Sequence, residues 1–533
     1  MAFERSSSGV TARTATFDFL RASNMTTVFG NPGSTELRFM REWPSDFRYV
    51  TALHEASAVA MADGYAQVAR ACAFVNLHSA GGVGNAMGSV FSAYKNQTPL
   101  VVTAGQQTRA LLPSEPFLYA QDATLLPRPY VKWACEPARG EDVPAAIAHA
   151  YYVAMQRPCG PTFVSIPEDD WDVPAETPAI RRFYAEMTAE RNALADVSAR
   201  LAACSRPALV VGPGVDRDDA SGAAIALAER VQAPVWISPL SNRCSFPERH
   251  PLFGGFLPPV RASIARILNA YDLVLVLGAP VFTYHVHSAG VPHFVADIVH
   301  LSDDPAALAA APAGTAIVTT LRSALEQLLE VVAPTGRAAP RTRPAPARLA
   351  ATDPLTPGYA LQTIREHVAR NVFVFEEAPS HRNALHEYFP VEDAGTFFNA
   401  ASGSLGWALP AAVGAALAAP GRRVVALVGD GSAMYSIQAL WTAARFALPV
   451  TFVVLNNASY AAMNEFSRYL HIEGAPSFAL TDLDIVRCAQ GFGCAARRVT
   501  AAAELPAALE ASLATAGPAL LDIVVENATG TIY

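Results

Sequence analysis

Two short motifs in the last third of the chain carry side chains that could hold a metal ion and a phosphate. Gly429-Asp430-Gly431-Ser432 follows the apolar run 424–428, and Asn456-Asn457 follows the apolar run 451–455. Asp430 and Asn457 offer oxygen ligands of the kind that Mg²⁺ binds together with phosphate and water. Glycines let the backbone approach a phosphate, and the start of a helix favours an anion. Both motifs come at strand ends, which favours a metal–diphosphate site over two unrelated turns.

The first third of the chain offers two further polar candidates. Asn31-Pro32-Gly33 is a tight turn after a short strand, and Ser34 follows at a predicted helix start, where a serine commonly caps the helix. Glu55 begins another predicted helix whose neighbours are almost all small and apolar. Burial without a cation would raise the pKa of this carboxyl, whereas the helix dipole would favour its charged form. From the residues alone, both interpretations of Glu55 stay open.

Two histidines are predicted at the carboxyl ends of strands. His78 follows the apolar run 73–77 and precedes a glycine-rich helix start, and His285 follows the strand 273–277. Ligand sites in open parallel sheets lie at that edge. An isolated histidine in such a loop is more commonly structural or merely exposed, so its position alone assigns no role.

These candidates are spread over three blocks that alternate apolar strands with helical segments, which predicts an α/β protein of three doubly wound parallel-sheet domains. We expect the domains at 1–180, 190–335 and 358–533, with a linker rich in proline, alanine and arginine at 336–357. In the middle block, Gly212-Pro213-Gly214 lies between a strand and a helix. It lacks a third glycine and an acidic partner, so a structural turn is favoured over a dinucleotide site.

Composition narrows the function classes. The 533 residues are 51% hydrophobic and 16% charged with a net charge of −8, which argues against a disordered chain and against nucleic acid as a partner. The seven cysteines form no CxxC pair and indicate thiols in a reducing compartment. No apolar run reaches the roughly 18 residues that span a bilayer. We therefore expect no membrane partner and a cytoplasmic location.

The spacing of the two metal motifs resembles the signature of thiamine-diphosphate enzymes. Longer, irregular stretches resemble one family of them, the benzoylformate decarboxylases, in order over nearly the whole chain. These stretches are 28–37, 63–67, 76–86, 102–110, 126–129, 279–282, 405–412 and 429–436. A shared fold alone would not produce them, so the chain looks like a thiamine-diphosphate-dependent 2-oxo acid decarboxylase.

The resemblance implies how the candidates act. Glu55 would activate the cofactor, and Ser34 would contact the substrate carboxylate. His78 and His285 would transfer protons. The implied reaction converts a small, aryl 2-oxo acid into an aldehyde and CO₂, with carboligation as a side activity and a place in the mandelate pathway.

The resemblance also implies which residues hold the cofactor. Asp430, Asn457 and the backbone carbonyl of Ser459 would bind Mg²⁺ or Ca²⁺, and Leu405 would lie under the cofactor. The other implied cofactor-binding residues are Asn31, Pro32, Gly33, Glu55, Ser380, Gly403, Gly429, Gly431, Ser432, Tyr435 and Tyr460. In such enzymes the first and third blocks bind opposite ends of the cofactor across a subunit interface. This implies a homodimer as the smallest active unit and commonly a homotetramer.

The predicted substrate wall departs from the family. Asn399 stands where the family has an aromatic ring, so a polar, larger or aliphatic 2-oxo acid could use the space there. Ala458 replaces a glycine near the metal, which predicts a change in the local backbone. The predicted pocket consists of Ser34, His78, Asn399, Ala462, Met463 and Phe466.

Three rival functions follow from the same residues. An acetolactate-synthase-like carboligase would pass the decarboxylated group to a second carbonyl, and it usually carries a flavin in the middle block. A binding protein that kept the fold without turnover would be expected to lose Glu55 or a metal ligand, and none is lost. A nicotinamide dehydrogenase is disfavoured because the full GxGxxG motif is absent.

Overall fold

The protein is an α/β protein built on three six-stranded sheets, as a computed structural model shows. The structure describes residues 9–281, 283–287, 290 and 293–527. Every strand pairing within the three sheets is parallel. The expected fold class is therefore confirmed. Each sheet lies inside one of the three predicted blocks, whose boundaries stay predictions.

The first sheet has the strand order β2-β1-β3-β4-β6-β5. Its elements are α1 (Ala12–Ala22), β1 (Thr27–Gly30), β2 (Arg48–Thr51), α2 (Glu55–Ala69), β3 (Ala73–Leu77), α3 (Ser79–Asn96), β4 (Leu100–Gln106), β5 (Ala134–Cys135), α4 (Val143–Met155) and β6 (Pro161–Pro167). Strands β3, β4 and β6 are buried along their whole length. This burial explains their continuous apolar sequence, because helices cover both faces of a parallel sheet.

The middle sheet has the order β12-β11-β10-β7-β8-β9. Its elements are α5 (Arg191–Ala203), β7 (Pro207–Val211), α6 (Pro213–Arg217), α7 (Ser221–Val231), β8 (Val235–Ile237), β9 (Phe253–Phe256), α8 (Arg261–Leu268), β10 (Leu273–Leu277), β11 (Asp297–Ser302), α9 (Pro305–Ala309), β12 (Thr315–Val318) and α10 (Leu321–Val331). The predicted structural turn packs tightly here, since a Cβ on Gly214 would lie 2.8 Å from the Gly278 Cα.

The third sheet has the order β14-β13-β15-β16-β18-β17. Its elements are α11 (Pro357–His367), β13 (Phe373–Glu377), α12 (Arg382–Tyr388), β14 (Phe397–Asn399), α13 (Ala408–Ala418), β15 (Val424–Gly429), α14 (Asp430–Ser436), α15 (Ala439–Arg445), β16 (Val450–Asn456), α16 (Ala461–Tyr469), α17 (Ile485–Gly491), β17 (Ala495–Val499), α18 (Leu505–Ala514) and β18 (Ala519–Val524). Between α10 and α11 the chain has no helix or strand, which includes most of the predicted linker.

Helices α2 and α13 join the first domain to the third. Both are rich in alanine; most residues of α2 and nearly every residue of α13 are buried. A Cβ on Gly64 would lie 2.1 Å from the Ala411 carbonyl oxygen, and one on Gly414 would lie 1.8 Å from the Met61 carbonyl oxygen. Only glycine permits so close an approach of the two backbones. The crossing therefore fixes the position of Glu55, at the start of α2, relative to the third domain.

A buried carboxylate reinforces this junction. Asp63 on α2 accepts hydrogen bonds from the side chains of Gln67 (2.7 Å), Asn96 (2.8 Å), Thr98 (2.6 Å) and Trp407 (2.7 Å). Burial raises the pKa of Asp63, and the four donors oppose that rise. The Trp407 indole precedes α13, so one side chain ties together α2, α3 and the third domain.

Candidate active site

The two metal motifs lie side by side at the carboxyl edge of the third sheet. Strand β15 pairs with β16 so that Gly429 lies opposite Leu455, and each motif follows directly from its strand. The backbone N–H of Ser459 donates to Asp430 Oδ2 (3.2 Å) and to Asn457 Oδ1 (3.1 Å). The two side-chain oxygens thus converge on one N–H, as residues that share a ligand must.

The chemistry of this donor set fits a divalent cation. Burial raises the pKa of Asp430, and backbone N–H groups of Gly431 and Ser459 only partly offset that rise. No cationic side chain in the described part of the chain pairs with Asp430. A bound Mg²⁺ or Ca²⁺ would stabilise the ionised form, with oxygen ligands from Asp430, Asn457 and the Ser459 carbonyl.

Ala458 adopts a strained backbone conformation. It has a positive φ of 53°, in the left-handed region that normally favours glycine. Its N–H donates to Asn456 Oδ1 (3.0 Å), and its carbonyl accepts from the Leu480 N–H (2.7 Å). These bonds hold the loop in a conformation that costs an alanine roughly 1–2 kcal/mol. The alanine is therefore strained in this loop, and the expected change of backbone relative to the family stays a prediction.

Glu55 lies in a polar pocket within the first domain. The side chain is 8% exposed, and Oε1 and Oε2 accept hydrogen bonds from the amides of Asn31 (3.2 Å) and Asn85 (3.1 Å). Among the described residues no arginine, lysine or histidine forms an ion pair with it. Two neutral donors thus orient a carboxyl that carries no fixed counter-charge, which suits a group that exchanges a proton.

His78 is held by a carboxylate that the sequence did not single out. Glu36 is 1% exposed, and its oxygens accept from the N–H of Gly33 (2.7 Å), the N–H of Gly105 (3.0 Å) and the Thr35 hydroxyl (2.7 Å). Oε2 also lies 2.9 Å from His78 Nδ1. Because a carboxylate only accepts, Nδ1 carries the proton and Nε2 remains for chemistry. The Glu36 carboxylate raises the pKa of His78 despite the opposing effect of burial.

We expect the Glu36→Gln variant to move the alkaline limb of the pH profile of kcat/KM to lower pH. The substitution removes the negative charge that favours protonated His78, so His78 loses its proton at lower pH. The same pairing stabilises the fold fully below pH 6.5, the usual pKa of histidine, and is lost as the pH rises through the raised pKa. An unchanged limb, with the exposed Glu42→Gln as the matched control, would rule out this role for Glu36.

A cavity of about 470 Å³ opens between the middle and third domains. His285 and Phe466 form part of its wall, with ring centroids 4.9 Å apart in an edge-on arrangement. The predicted site residues that line it are His285, Ser380, Gly403, Leu405, Ala462 and Phe466. Its size falls in the range of about 300–1,000 Å³ that is usual for small-molecule sites.

The predicted residues of the first domain do not reach this cavity in a single chain. Ser34, Glu55 and His78 are not among its lining residues. Ser34 begins a one-turn helix and is exposed; it does not act as the helix cap. In the single chain the predicted residues of the first domain are thus separate from those that line the cavity between the other two domains.

Two predicted pocket residues lie elsewhere. Asn399 leaves no space for a substrate: it is 1% exposed, and its amide donates to the Ser241 carbonyl (3.4 Å) and the Glu376 carboxylate (3.3 Å). Met463 is 46% exposed and does not line the cavity, because its side of α16 faces outward. In the single chain neither side chain lines the cavity, and their place in the substrate pocket stays a prediction.

The remaining predicted cofactor residues surround the metal loops. The Ser380 hydroxyl accepts from the Ala462 N–H (3.1 Å), so its own proton is left to donate. Tyr460 packs against Gly431, where a Cβ would lie 2.3 Å from the ring, and Tyr435 is largely exposed. Gly429 ends β15, and Ser432 is buried in the first turn of α14. Phe282, in one of the resembling stretches, lies outside the described residues.

Sequence reasoning also missed a pair of buried acids at the end of β13. Glu377 accepts from the N–H groups of Gly406 (2.5 Å), Trp407 (2.7 Å) and Ala408 (2.8 Å), and burial raises its pKa to about 7. Glu376 pairs with Arg382 at 2.8 Å. The sequence did contain a signal for this pair: two consecutive acids end an apolar strand. Because buried charges need partners, such acids indicate hydrogen-bond or ion-pair partners nearby.

Comparison with known proteins agrees with this geometry. Three family models match: the N-terminal TPP binding domain (10–124), the central domain (194–328) and the C-terminal TPP binding domain (378–523) of thiamine pyrophosphate enzymes. A benzoylformate decarboxylase of Pseudomonas aeruginosa is 42% identical over 97% of this chain and 99% of its own. A solved benzoylformate decarboxylase of Polynucleobacter necessarius has a TM-score of 0.95 at 38% identity, covering 98% of this chain and 99% of its own. A thiamine diphosphate-dependent 4-hydroxybenzoylformate decarboxylase of Rhodococcus jostii has a TM-score of 0.94 at 39% identity, covering 98% and 100%.

Proposed function

Because the chain belongs to the benzoylformate decarboxylase family of thiamine-diphosphate enzymes, we propose that it converts an aryl 2-oxo acid of the benzoylformate class into the aldehyde and CO₂. The observation that carries this proposal is the cavity between the middle and third domains. It joins an aromatic wall, His285 with Phe466, to Leu405 and Ser380 beside the metal loops. The aromatic part of this wall suits a flat aryl ring, and the polar groups of the cavity can fix the orientation of that ring.

The chain's own residues would position the substrate and move protons. Thiamine diphosphate, when bound, supplies the cationic ring that accepts the electron pair left by CO₂. Ser34 would bind the substrate carboxylate, and His78, with Nε2 as its free nitrogen, would protonate the developing oxyanion. His285 would deliver the proton that completes the aldehyde. Exclusion of water from the assembled site would strengthen each of these interactions.

The proposed active unit is a homodimer, commonly paired into a homotetramer. Glu55, Ser34 and His78 do not line the cavity of their own chain. A second copy would supply these residues from its first domain and so complete the site. We also propose the cytoplasm as the compartment. Among the described residues, no helix combines the length and the apolar character that crossing a membrane requires.

We expect removal of divalent ions to abolish uptake of thiamine diphosphate by the purified protein. Diphosphate and Asp430 are both anionic, so without a cation between them they repel each other. Isothermal titration of chelator-treated protein should show no uptake, and added Mg²⁺ or Ca²⁺ should restore it. Asp430→Ala should fail to bind even with Mg²⁺, whereas the exposed Asp196→Ala should bind normally. Full uptake without a metal ion would contradict the proposed metal site.

The proposed reaction is tested with a panel of 2-oxo acids offered to the holoenzyme while CO₂ and aldehyde are measured. Benzoylformate should exceed pyruvate in kcat/KM, because the aryl ring buries more apolar surface. Protein kept free of the cofactor is the control. No CO₂ from any aryl or branched 2-oxo acid would overturn the proposal. Consumption of pyruvate with formation of a new C–C bond would instead favour the carboligase alternative, and the same samples report carboligation as a side activity.

A further inference from the structure

Arg382 lines the cavity and is held there by a buried acid. Its Nε (3.1 Å) and Nη2 (2.8 Å) both donate to Oε2 of Glu376, whose side chain is fully buried. Glu376 is fixed in turn, because Oε1 accepts from the Ala378 N–H (2.6 Å) and Oε2 accepts from the Asn399 amide (3.3 Å). The guanidinium is therefore locked along one edge, at the start of α12.

The other edge of this guanidinium has no protein acceptor among the described residues. A guanidinium carries five N–H donors, and Glu376 uses one on Nε and one on Nη2. Within the described part of the chain, the structure gives Nη1 no hydrogen-bond partner, although Arg382 is one of the residues that line the cavity. A donor in a fixed position thus borders the same space as His285 and Phe466.

Charge in the cavity favours an uncharged acceptor for this donor. Two arginines (343 and 382) and four glutamates (376, 377, 387 and 465) line it. Glu376 already neutralises Arg382, so a second carboxylate on the substrate would be repelled. An oxygen on the aromatic ring, such as a hydroxyl, accepts a hydrogen bond without bringing a full negative charge.

The neighbouring histidine on α12 is held by other partners. His386, one turn along α12, stacks on Phe256 with ring centroids 4.2 Å apart, and its Nδ1 lies 2.9 Å from Glu248 Oε1. His386 is therefore occupied by other partners. Arg382 is thus the cationic side chain on this helix face that is left to meet a ring substituent.

We propose that Arg382 is a specificity-determining residue, which selects an aryl 2-oxo acid bearing a ring oxygen over the unsubstituted acid. The inference rests on the proposed function and deepens it by naming the substrate class. The substrate's own carboxylate is assigned to Ser34 in the proposed function, which leaves a ring oxygen as the group for Arg382 to bind.

The test compares kcat/KM for benzoylformate, 4-hydroxybenzoylformate, 3-hydroxybenzoylformate and 4-methylbenzoylformate. The methyl compound matches the hydroxyl in size but cannot accept a hydrogen bond. For the wild-type enzyme we expect one of the hydroxylated acids to exceed its methyl and unsubstituted analogues about tenfold to a hundredfold, as a hydrogen bond to a charged group allows.

Two variants separate Arg382 from the rest of the cavity. Arg382→Lys keeps a positive charge beside Glu376 but lacks the planar fork, and Arg382→Met removes the donor. Both should reduce the hydroxyl-to-methyl ratio to near one. The exposed Arg370→Lys is the matched control and should leave the ratio unchanged.

The outcomes are distinguishable. Equal kcat/KM for the hydroxyl and methyl compounds in the wild-type enzyme would overturn the inference without any variant, while the proposed decarboxylation would stand. A hydroxyl preference that survives Arg382→Lys would also overturn it. Absence of CO₂ from all four acids would overturn the proposed function and this inference with it.

Discussion

Holoenzyme carrying Glu55→Gln is expected to release CO₂ from benzoylformate about 10²- to 10⁴-fold more slowly than the wild-type enzyme, the usual contribution of a positioned acid or base. The side chains of Asn31 and Asn85 orient the carboxyl in the wild-type protein. Glutamine has the same shape, and the two asparagine amides can turn to pair with it, so the fold should persist. The amide cannot exchange a proton, so activation of the cofactor should be lost.

The measurement is kcat at saturating thiamine diphosphate and Mg²⁺, which separates chemistry from cofactor binding. The exposed Glu510→Gln makes the same chemical change far from the site and should keep the wild-type rate. Glu55→Asp shortens the side chain by one methylene and should recover only part of the activity. A Glu55→Gln enzyme within about twofold of the wild-type rate would remove Glu55 from the mechanism.

Central strands were predictable because burial on both faces makes their sequence continuously apolar. Predicted strands 73–77 and 273–277 coincide with β3 and β10, which are buried on both faces and therefore continuously apolar. Edge strands carry no such signal. Strand β12 has a single buried residue and β5 has only two residues, and neither was predicted.

The candidate site was predictable where a short sequence motif itself contains the metal-binding side chain. Asp430 and Asn457 come at adjacent strand ends, and topology alone brings their oxygens together. Roles that depend on partners distant in sequence were not predictable. His78 pairs with Glu36, which is 42 residues away in the sequence. The amide of Asn399 donates a hydrogen bond to the Glu376 carboxylate. A position matched to a family shows where a residue lies but not what its side chain contacts.

Glu377 illustrates such a hidden partner, because it organises the turn that carries Leu405. Its two oxygens accept the N–H groups of Gly406, Trp407 and Ala408, at the start of the buried helix α13. The first N–H groups of any helix lack partners within the helix. Glu377, at the end of β13, thus fixes both the turn that carries Leu405 and helix α13, which packs on α2.

We therefore expect Glu377→Ala to lower the free energy of unfolding by at least about 3 kcal/mol, since each unpaired buried donor costs about 1–3 kcal/mol and three such donors are left. Thermal unfolding should then begin several degrees lower, and binding of the cofactor should weaken because the Leu405 turn loses its anchor. Circular dichroism melting at pH 8 measures the first effect, and titration of thiamine diphosphate measures the second. The surface variant Glu366→Ala breaks only an exposed pair with Arg348 and should change stability by less than about 1 kcal/mol. Equal melting of the two variants would show that water, rather than Glu377, satisfies the start of α13.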